Sequence, residues 1–280
     1  MGFPIARRLA QAGFTLSVYD PAHGKAASLA AAEPSVTTAE HPPAQAEIII
    51  TCLPDEHTVE STYLTGDTPV QTHARPGTIT IDHSTCSPEL ARRINDALHD
   101  RGITHIEAPL FGGVQHANTG QLYLALSGRD ESRAPVEKIA AAIARGWQWV
   151  GGPGSAMTFK ILQNGLGLVQ LAAMGEVASA CRRLNIDPQR FYSLVNDAGG
   201  MAATPLFYER FPRMLANAPV DARLDIGAKD ADLFHRLIEP ATISLADTTV
   251  RIFAAARAAG LADDDITSVW RVFERADSAG

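Results

Sequence analysis

Strand-like and helix-like patterns alternate along the first half of this chain, and that alternation restricts the possible folds more than any other feature. Short apolar runs predict strands at residues 14–19, 47–53, 78–82, 104–107, 122–127 and 147–150. Helical patterns lie between them at residues 22–32, 88–101 and 133–145. Because parallel strands need long crossover connections, we expect an α/β fold: a mostly parallel, doubly wound sheet covered by helices on both faces.

The pattern changes after the stretch "GGPGS" at residues 151–155. Strand signals stop there, and residues 156–184 form one long pattern that is rich in Leu, Val, Ala and Met, as expected of a helix buried on all sides. Further helical patterns cover residues 188–195, 225–237, 243–258 and 265–276. We therefore predict two domains, an α/β domain over residues 1–152 and an all-α domain over residues 153–280.

Composition excludes several classes of function. The formal net charge of -7 is spread over 280 residues without long charged runs, which argues against a nucleic-acid-binding surface. The chain has no run of about 18 apolar residues and no basic leader with an apolar core, so we expect no membrane partner and a cytoplasmic location. The three cysteines and nine histidines show no ligand spacing, so we expect no metal site.

The opening stretch, "MGFPIARRLAQAGFTLSVYD", has the order of one part of a dinucleotide-binding unit. Its apolar residues recur at helical spacing up to Gly13, and residues 15–19 then alternate like a strand that leads to Asp20. In such a unit, a first strand and a glycine-rich turn come before the helix, and an acid about 20 residues past the turn meets the adenosine ribose. The sequence given contains neither that strand nor that turn.

Several motifs along the chain fit one family in register. They are "MG" at residues 1–2, "SVYD", "IIITCLPDEHTVESTYL", "IDHSTCSPE", "EAPLFGGVQHANTGQL", "GPGSAMTFKILQNGLGLVQLAAMGE" and "KD" at residues 229–230. Taken singly, each has an ordinary structural interpretation, such as a buried strand that ends at a proline, a Ser/Thr helix cap or a surface charge pair. Together they resemble the β-hydroxyacid dehydrogenases, the group of 3-hydroxyisobutyrate dehydrogenase and tartronate semialdehyde reductase, over essentially the whole chain.

The resemblance implies that the first domain is Rossmann-like and binds NAD. Met1 and Gly2 match the last two positions of the family's Gly-x-Gly-x-Met-Gly fingerprint. Asp20 would accept hydrogen bonds from both ribose hydroxyls and would repel a 2′-phosphate, which favours NAD over NADP. The other cofactor-binding positions implied by the resemblance are Leu53, Pro54, Thr58, Thr85 and Lys229.

The resemblance also implies where a substrate carboxylate binds. Residues 107–122 match the family's "DAPVSGGxxGAxxGxL", in which the backbone N–H groups of Gly112 and Gly113 would hold the carboxylate. Phe111 departs from this pattern. It stands where the family has a serine whose hydroxyl contacts the same carboxylate.

The reacting group would meet the long helix of the second domain, whose apolar pattern predicts that it runs between domains or into a dimer core. Lys160 and Asn164 lie one turn apart on one face of it, in the register of the family's catalytic lysine. The resemblance implies that Lys160 is the acid–base residue and that Asn164 orients the substrate. A surface lysine beside a surface asparagine is the other interpretation of this pair.

The implied reaction is reversible hydride transfer between NAD and a small 3-hydroxy acid resembling 3-hydroxyisobutyrate, catalysed without metal by a homodimer or homotetramer. Two alternatives stay open. One is a related reductase of a bulkier carbonyl or imine substrate, which Phe111 favours and Lys160 disfavours. The other is a non-catalytic cofactor-binding homologue, suggested by the missing first strand. Because Met1 stands at an internal position of the fingerprint, we also expect that roughly ten further residues, an apolar run followed by Gly-x-Gly, are encoded upstream.

Overall fold

Strands and helices alternate through the first part of the chain, as the sequence pattern predicts. The computed structural model describes residues 1–40, 45–129, 133–238 and 244–274. The chain divides into two compact units, Met1–Lys160 and Ile161–Gly280. The domain boundary expected from the sequence, at residue 152, comes just before a long helix, and the two units divide inside that helix.

The strands of the first unit form two sheets. They are β1 (Leu16–Val18), β2 (Val36–Thr38), β3 (Ile48–Thr51), β4 (Ile79–Asp82), β5 (Thr104–Glu107), β6 (Leu110–Phe111), β7 (Leu122–Gly128) and β8 (Ala144–Gly151). β1 pairs with β2, and the other six strands form one sheet in the order β3-β4-β5-β7-β6, with β8 also beside β7. Strand β7 is antiparallel to β5 and β6, and all other pairs are parallel. The sheet is therefore mostly parallel, as predicted, although the sequence pattern did not reveal the short strands β2 and β6.

Helices cover both faces of the larger sheet. They are α1 (Gly2–Gln11), α2 (His23–Ala32), α3 (Glu56–Glu60), α4 (Val70–His73), α5 (Pro88–His99), α6 (Val114–Thr119) and α7 (Arg133–Ile143), and α3 runs directly into a π-helical turn at Ser61–Thr65. On one face, Leu9 of α1 and Ile139 of α7 belong to a core cluster with Ile81 and Ile106 of the strands. On the other face, Ile94 of α5 belongs to a second cluster with side chains of α3 and its π-helical turn.

Strand β3 lies at the edge of its sheet. Among the described residues it has a strand neighbour on one side only, and β1 likewise pairs only with β2. The three isoleucines of β3 are half-buried, whereas Ile81 and Ile106 in the neighbouring strands are 1% and 0% exposed. An edge strand is covered less than a central one, because one of its sides lacks a neighbouring backbone.

The second unit is helical, as predicted. Helix α8 (Ser155–Arg183) begins in the first unit, and α9 (Pro188–Ala198), α10 (Pro205–Leu215), α11 (Leu224–Ile238), α12 (Leu245–Ala258) and a 3₁₀ helix at Ile266–Phe273 follow. Helix α10 was not predicted, although Thr204 caps it with a hydrogen bond and Pro205 begins it. The pattern at residues 265–276 forms the 3₁₀ helix, and its residues 275 and 276, like residue 243 of the preceding pattern, lie outside the described residues.

The core of the second unit is built around aromatic side chains. Phe207 and Phe211 of α10 lie 4.9 Å apart between ring centroids, and Phe253 of α12 and Trp270 of the 3₁₀ helix belong to the same buried cluster. Helix α8 adds Leu171 and other apolar residues to it. This cluster explains why the apolar pattern of α8 continues beyond the first unit.

Helix α8 is not buried on all sides in the single chain. Phe159, Leu162 and Leu166 are 53%, 45% and 60% exposed. Their spacing of three and four residues puts them along one stripe of the helix. The helix therefore has buried apolar residues on one side and an exposed apolar stripe on another.

A close approach between α8 and α11 depends on one glycine. A Cβ atom at Gly165 would overlap the ring of Phe234, far inside van der Waals contact. Gly167, two residues later in the same helix, has no atom within 4 Å of its corresponding Cβ position. A methyl group added at Gly165 would therefore collide with Phe234, whereas one added at Gly167 would enter open space.

We predict that Gly165→Ala lowers the stability of the protein by about 1–3 kcal/mol, because the overlap with the Phe234 ring outweighs the better helix propensity of alanine. Gly167→Ala is the matched control and should raise stability by up to about 1 kcal/mol, because its methyl group enters open space. Thermal unfolding of the two variants measures both effects. Equal shifts in melting temperature would show that the helices do not meet at Gly165.

Candidate functional site

The last residues of β3, β4 and β5 stand in one row across the sheet. In the parallel register, Thr51 is the partner of Asp82, and Asp82 is the partner of Glu107. The chain leaves the sheet after each of them, so the loops that follow start side by side at the carboxyl edge, where doubly wound sheets bind ligands. These loops contain three of the residues singled out by the motifs, Leu53, Pro54 and Thr85, and Phe111 ends the short strand β6 that follows β5.

A buried hydrogen-bond network fixes one end of this row. Thr51 Oγ1 donates to Asp82 Oδ1 over 2.8 Å, and Tyr63 OH lies 2.7 Å from Thr51 Oγ1. Since the one hydroxyl proton of Thr51 goes to Asp82, Tyr63 donates to Thr51. Burial, and after it the charge of Asp82, raise the pKa of Tyr63 well above its ordinary value. Tyr63 therefore remains a neutral donor at any physiological pH.

A buried histidine on β5 extends this polar layer. His105 Nδ1 lies 2.7 Å from Thr80 Oγ1, and the rings of His105 and Tyr63 meet edge to face with centroids 5.1 Å apart. Burial lowers the pKa of His105 to about 4, against a smaller opposing effect of Asp82. The imidazole of His105 is therefore neutral at pH 7 and adds no positive charge near Asp82.

Ser84, which the sequence analysis did not single out, ties two of the predicted cofactor loops together. The backbone N–H of Leu53 donates to Ser84 Oγ over 2.9 Å, and the N–H of Ser84 donates to Asp82 Oδ1 over 2.9 Å. The loops of Leu53 and Thr85 are thereby held to one another. The "DHST" motif contains Ser84, but only the neighbouring strand shows what its hydroxyl does.

Helix α1 begins at this same edge. A Cβ atom at Gly2 would lie 3.6 Å from Cβ of Cys52, the residue that follows β3, and this is an ordinary contact distance. No side chain caps the first turn of α1. An uncapped helix N-terminus beside the carboxyl ends of strands presents N–H groups that suit the pyrophosphate of a dinucleotide.

The two other predicted cofactor residues of the first unit lie at the starts of helices. Asp20 follows β1, and its Oδ1 accepts the N–H of Ala22 over 2.7 Å. Thr58 lies in the first turn of α3, where its N–H donates to Oδ1 of the capping residue Asp55. A carboxylate after a strand and an uncapped helix N-terminus are the groups that a dinucleotide needs for its ribose and its pyrophosphate, so the residues present fit NAD.

The loop expected to hold a substrate carboxylate differs from expectation. Gly112 has φ +122, which favours glycine, and a Cβ there would lie 3.0 Å from Cβ of His116. The N–H of Gly113 donates to His116 Nδ1 over 3.3 Å. One of the two expected backbone donors thus has a partner within the loop. His116 stands where the family motif has a glycine, a departure that the sequence analysis did not use.

Phe111 and Lys160 lie together in the first unit. The Lys160 ammonium nitrogen is 5.0 Å from the centroid of the Phe111 ring, within the range of a cation–π contact. Lys160 is in the second turn of α8 and Phe111 ends β6. The proposed acid–base group therefore lies over the residue that departs from the family pattern.

The second unit holds the remaining predicted residues in one cluster. Asn164 Nδ2 donates to Asp230 Oδ2 over 2.7 Å, and Lys229 Nζ lies 3.1 Å from Asp230 Oδ1. Because a carboxylate only accepts, the amide of Asn164 must turn its nitrogen toward Asp230. Asp230, which the sequence analysis quoted only within the "KD" pair, thus fixes the orientation of Asn164.

Membrane-spanning helices and metal clusters are both absent from the described residues. No described helix is long and apolar enough to cross a membrane. In the same part of the chain, no group of three or more His, Cys, Asp or Glu side chains is arranged to hold a metal ion.

Two family descriptions cover almost the whole chain. Residues 1–151 match the "NAD binding domain of 6-phosphogluconate dehydrogenase". Residues 154–273 match the "NAD-binding of NADP-dependent 3-hydroxyisobutyrate dehydrogenase". The first match alone covers more than half of the chain.

Individual relatives agree with this assignment. The NAD-dependent L-serine dehydrogenase of Pseudomonas aeruginosa is 25% identical over 98% of this chain and 95% of its own length. The 3-hydroxyisobutyrate dehydrogenase of the same organism is 28% identical over 78% of this chain and 74% of its own. The crystal structure of a 3-hydroxyisobutyrate dehydrogenase from Salmonella typhimurium has the same fold, with a TM-score of 0.87 over 97% of this chain and 96% of that one at 23% identity. The chain therefore belongs to the β-hydroxyacid dehydrogenase family of NAD-binding oxidoreductases.

Proposed function

We propose that this protein transfers hydride reversibly between NAD and a 3-hydroxy acid resembling 3-hydroxyisobutyrate, with Lys160 as the acid–base residue. The observation that carries the proposal is the position of the Lys160 ammonium, which lies 5.0 Å from the centroid of the Phe111 ring. Phe111 directly precedes the glycine pair expected to hold the substrate carboxylate. The relatives named as hydroxyacid dehydrogenases support the reaction class. The substrate is thus a small carboxylate-containing alcohol or its carbonyl product.

Each residue has a separate task in this reaction. Bound NAD supplies the acceptor or donor of the hydride. Lys160 Nζ takes the hydroxyl proton when the alcohol is oxidised and returns it to the carbonyl oxygen when the product is reduced. Asn164, whose amide is held by its hydrogen bond to Asp230, orients the reacting group of the substrate. The N–H groups of Gly112 and Gly113 hold the carboxylate, and Gly113 exchanges its bond to His116 to do so.

The cofactor contacts follow from the strand ends. The first turn of α1 after Gly2 would meet the pyrophosphate, and Asp20 the ribose hydroxyls. The loop at Leu53 and Pro54, with Thr58 and Thr85, would line the nicotinamide side. Lys229, which pairs with Asp230, is the remaining cofactor contact that the family motif implies.

A second candidate function has its own support. The Phe111 ring replaces a hydroxyl, and the Gly113 N–H already has a partner in His116. Both features weaken the expected carboxylate site and leave an apolar surface near Lys160. They favour a reductase of a bulkier carbonyl or imine substrate with the same acid–base lysine.

The protein is further proposed to work as a homodimer or homotetramer. The exposed stripe of Phe159, Leu162 and Leu166 on α8 supports this, because apolar residues at helical spacing pack well against another helix. Light scattering measures the mass of the assembly in solution.

We predict that Lys160→Ala lowers kcat by at least about 100-fold, the usual loss when a general acid–base is removed, and leaves NAD affinity nearly unchanged. Lys138→Ala is the matched control, because Lys138 also lies over an aromatic ring, that of Phe14, on α7. It should keep the parent activity. If Lys160→Ala turns over as fast as the parent, Lys160 takes no part in the reaction, and NAD binding without any turnover in the parent would indicate a non-catalytic homologue.

Cofactor preference gives a separate test. We expect kcat/KM for NAD to exceed that for NADP by at least about tenfold, because a 2′-phosphate would place a second negative charge beside Asp20. Asp20→Asn should lower the ratio of kcat/KM for NAD to that for NADP. Asp100→Asn should leave the ratio unchanged, since Asp100 follows α5 and precedes β5, toward the edge of the sheet opposite the proposed cofactor loops. A parent enzyme that prefers NADP would contradict the assignment of Asp20.

The substrate loop gives the third test. Phe111→Ser should raise kcat/KM for 3-hydroxyisobutyrate, because it restores a hydroxyl partner and makes room beside the glycines. Phe111→Leu removes the ring but adds no hydroxyl, so it should bring no such gain. A parent that reduces bulky carbonyls or imines better than either variant does would favour the second candidate function. No gain on any small hydroxy acid would remove Phe111 from the substrate site.

A further inference from the structure

Glu107, the last residue of β5, is a carboxyl group with no exposure to solvent. Burial raises its pKa, and hydrogen bonds from Gly154, Ser127 and Met157 oppose that rise. None of these three partners is near Glu107 in the sequence. A carboxylate in such a place persists only if surrounding donors compensate for its lost hydration.

The donors belong to the start of α8. The N–H of Gly154 donates to Glu107 Oε1 over 2.5 Å, and the N–H of Met157 donates to Oε2 over 3.2 Å. Ser127 donates its hydroxyl proton to Glu107, and its Oγ accepts the N–H of Ala156 over 3.0 Å. One carboxylate and one hydroxyl on two strands therefore bind the N–H groups that the first turn of a helix leaves unpaired.

This attachment lies immediately before Lys160. Lys160 follows Met157 by three residues, less than one helical turn, so the position of the first turn fixes the position of the lysine backbone. Phe111 follows Glu107 by four residues, and its ring contacts the Lys160 ammonium. The segment 107–111 therefore makes two contacts with this region: Glu107 binds the beginning of α8, and Phe111 contacts the Lys160 ammonium.

We infer that Glu107 is a positioning residue, whose two oxygens set the start of α8 and thereby the place of Lys160 Nζ. The inference rests on the proposed function, since it takes Lys160 as the acid–base group. A positioning role differs from simple stabilisation of the fold. It affects the chemical step more than the binding of cofactor, because misplacing a reacting group by about 1 Å can cost about 100-fold in rate.

Glu107→Gln tests this directly. A glutamine has one oxygen to accept one backbone N–H, and it turns an NH₂ group toward the other N–H, so the first turn of α8 must shift. Glu107→Asp keeps both oxygens and the charge and matches the family motif. The measurements are kcat, KM for NAD and the primary deuterium isotope effect on hydride transfer, with 3-hydroxyisobutyrate or the best substrate of the parent.

Glu107→Gln should lower kcat by about 10- to 100-fold, change KM for NAD less than about twofold and increase the isotope effect, because the chemical step becomes rate-limiting. Glu107→Asp should recover most of kcat. If Glu107→Gln does not fold, Ser127→Ala gives the same test with a smaller loss, since it removes one acceptor from the same turn.

Asp265→Asn is the matched control. Asp265 is also a buried carboxylate, but in the second unit. It accepts the N–H of Thr267 at the start of the 3₁₀ helix and the N–H of Asp221. Asp265→Asn should lower the melting temperature and leave kcat and the isotope effect unchanged. Parent-like kcat in Glu107→Gln, while Lys160→Ala is inactive, would overturn the inference. Full activity of Lys160→Ala would instead overturn the proposed function.

Discussion

The parallel register of β3, β4 and β5 is the constraint on which the first unit depends. It sets Thr51, Asp82 and Glu107 in one row, and the proposed cofactor and substrate segments start there. A shift of one residue in any of these strands would turn its side chains to the opposite face. The two carboxyl groups of the row are buried. Asp82 Oδ1 accepts from the hydroxyl of Thr51 on the neighbouring strand and from the N–H of Ser84 in the loop after β4. Both oxygens of Glu107 accept N–H groups from the start of α8.

The two halves of the site differ in how closely they follow the family. The cofactor half keeps an acid after β1 and a helix start beside β3, groups that any bound dinucleotide requires. The substrate loop has Phe111 in place of a serine and His116 in place of a glycine. The ring of Phe111 contacts Lys160, and His116 takes the Gly113 N–H, so both departures act on the same few ångströms of the site. Because function depends on such local groups rather than on the fold, these two positions are where the proposed substrate site departs from the family motif.

The sequence by itself determined the architecture and gave the candidate site residues. Alternating apolar runs predicted six of the strands and the mostly parallel sheet, and the change at residues 151–155 marked the start of α8. The Lys-x-x-x-Asn register after "GGPG", through its resemblance to the family motif, singled out Lys160 and Asn164 without any contact information. Such features are readable because side-chain periodicity and local capping chemistry are properties of a few consecutive residues.

Only the tertiary structure decided what these residues touch. Strands β2 and β6 have three and two residues, too short for a periodic pattern, and they form because a neighbouring strand pairs with them. Glu107 meets Met157 across 50 residues, and Asn164 meets Asp230 across 66, so no local pattern could reveal either pair. The exposed stripe of α8 was also unpredictable, since composition gives a helix's apolar content but not which faces its neighbours cover. These contacts depend on strand register and helix packing, which only the folded chain specifies.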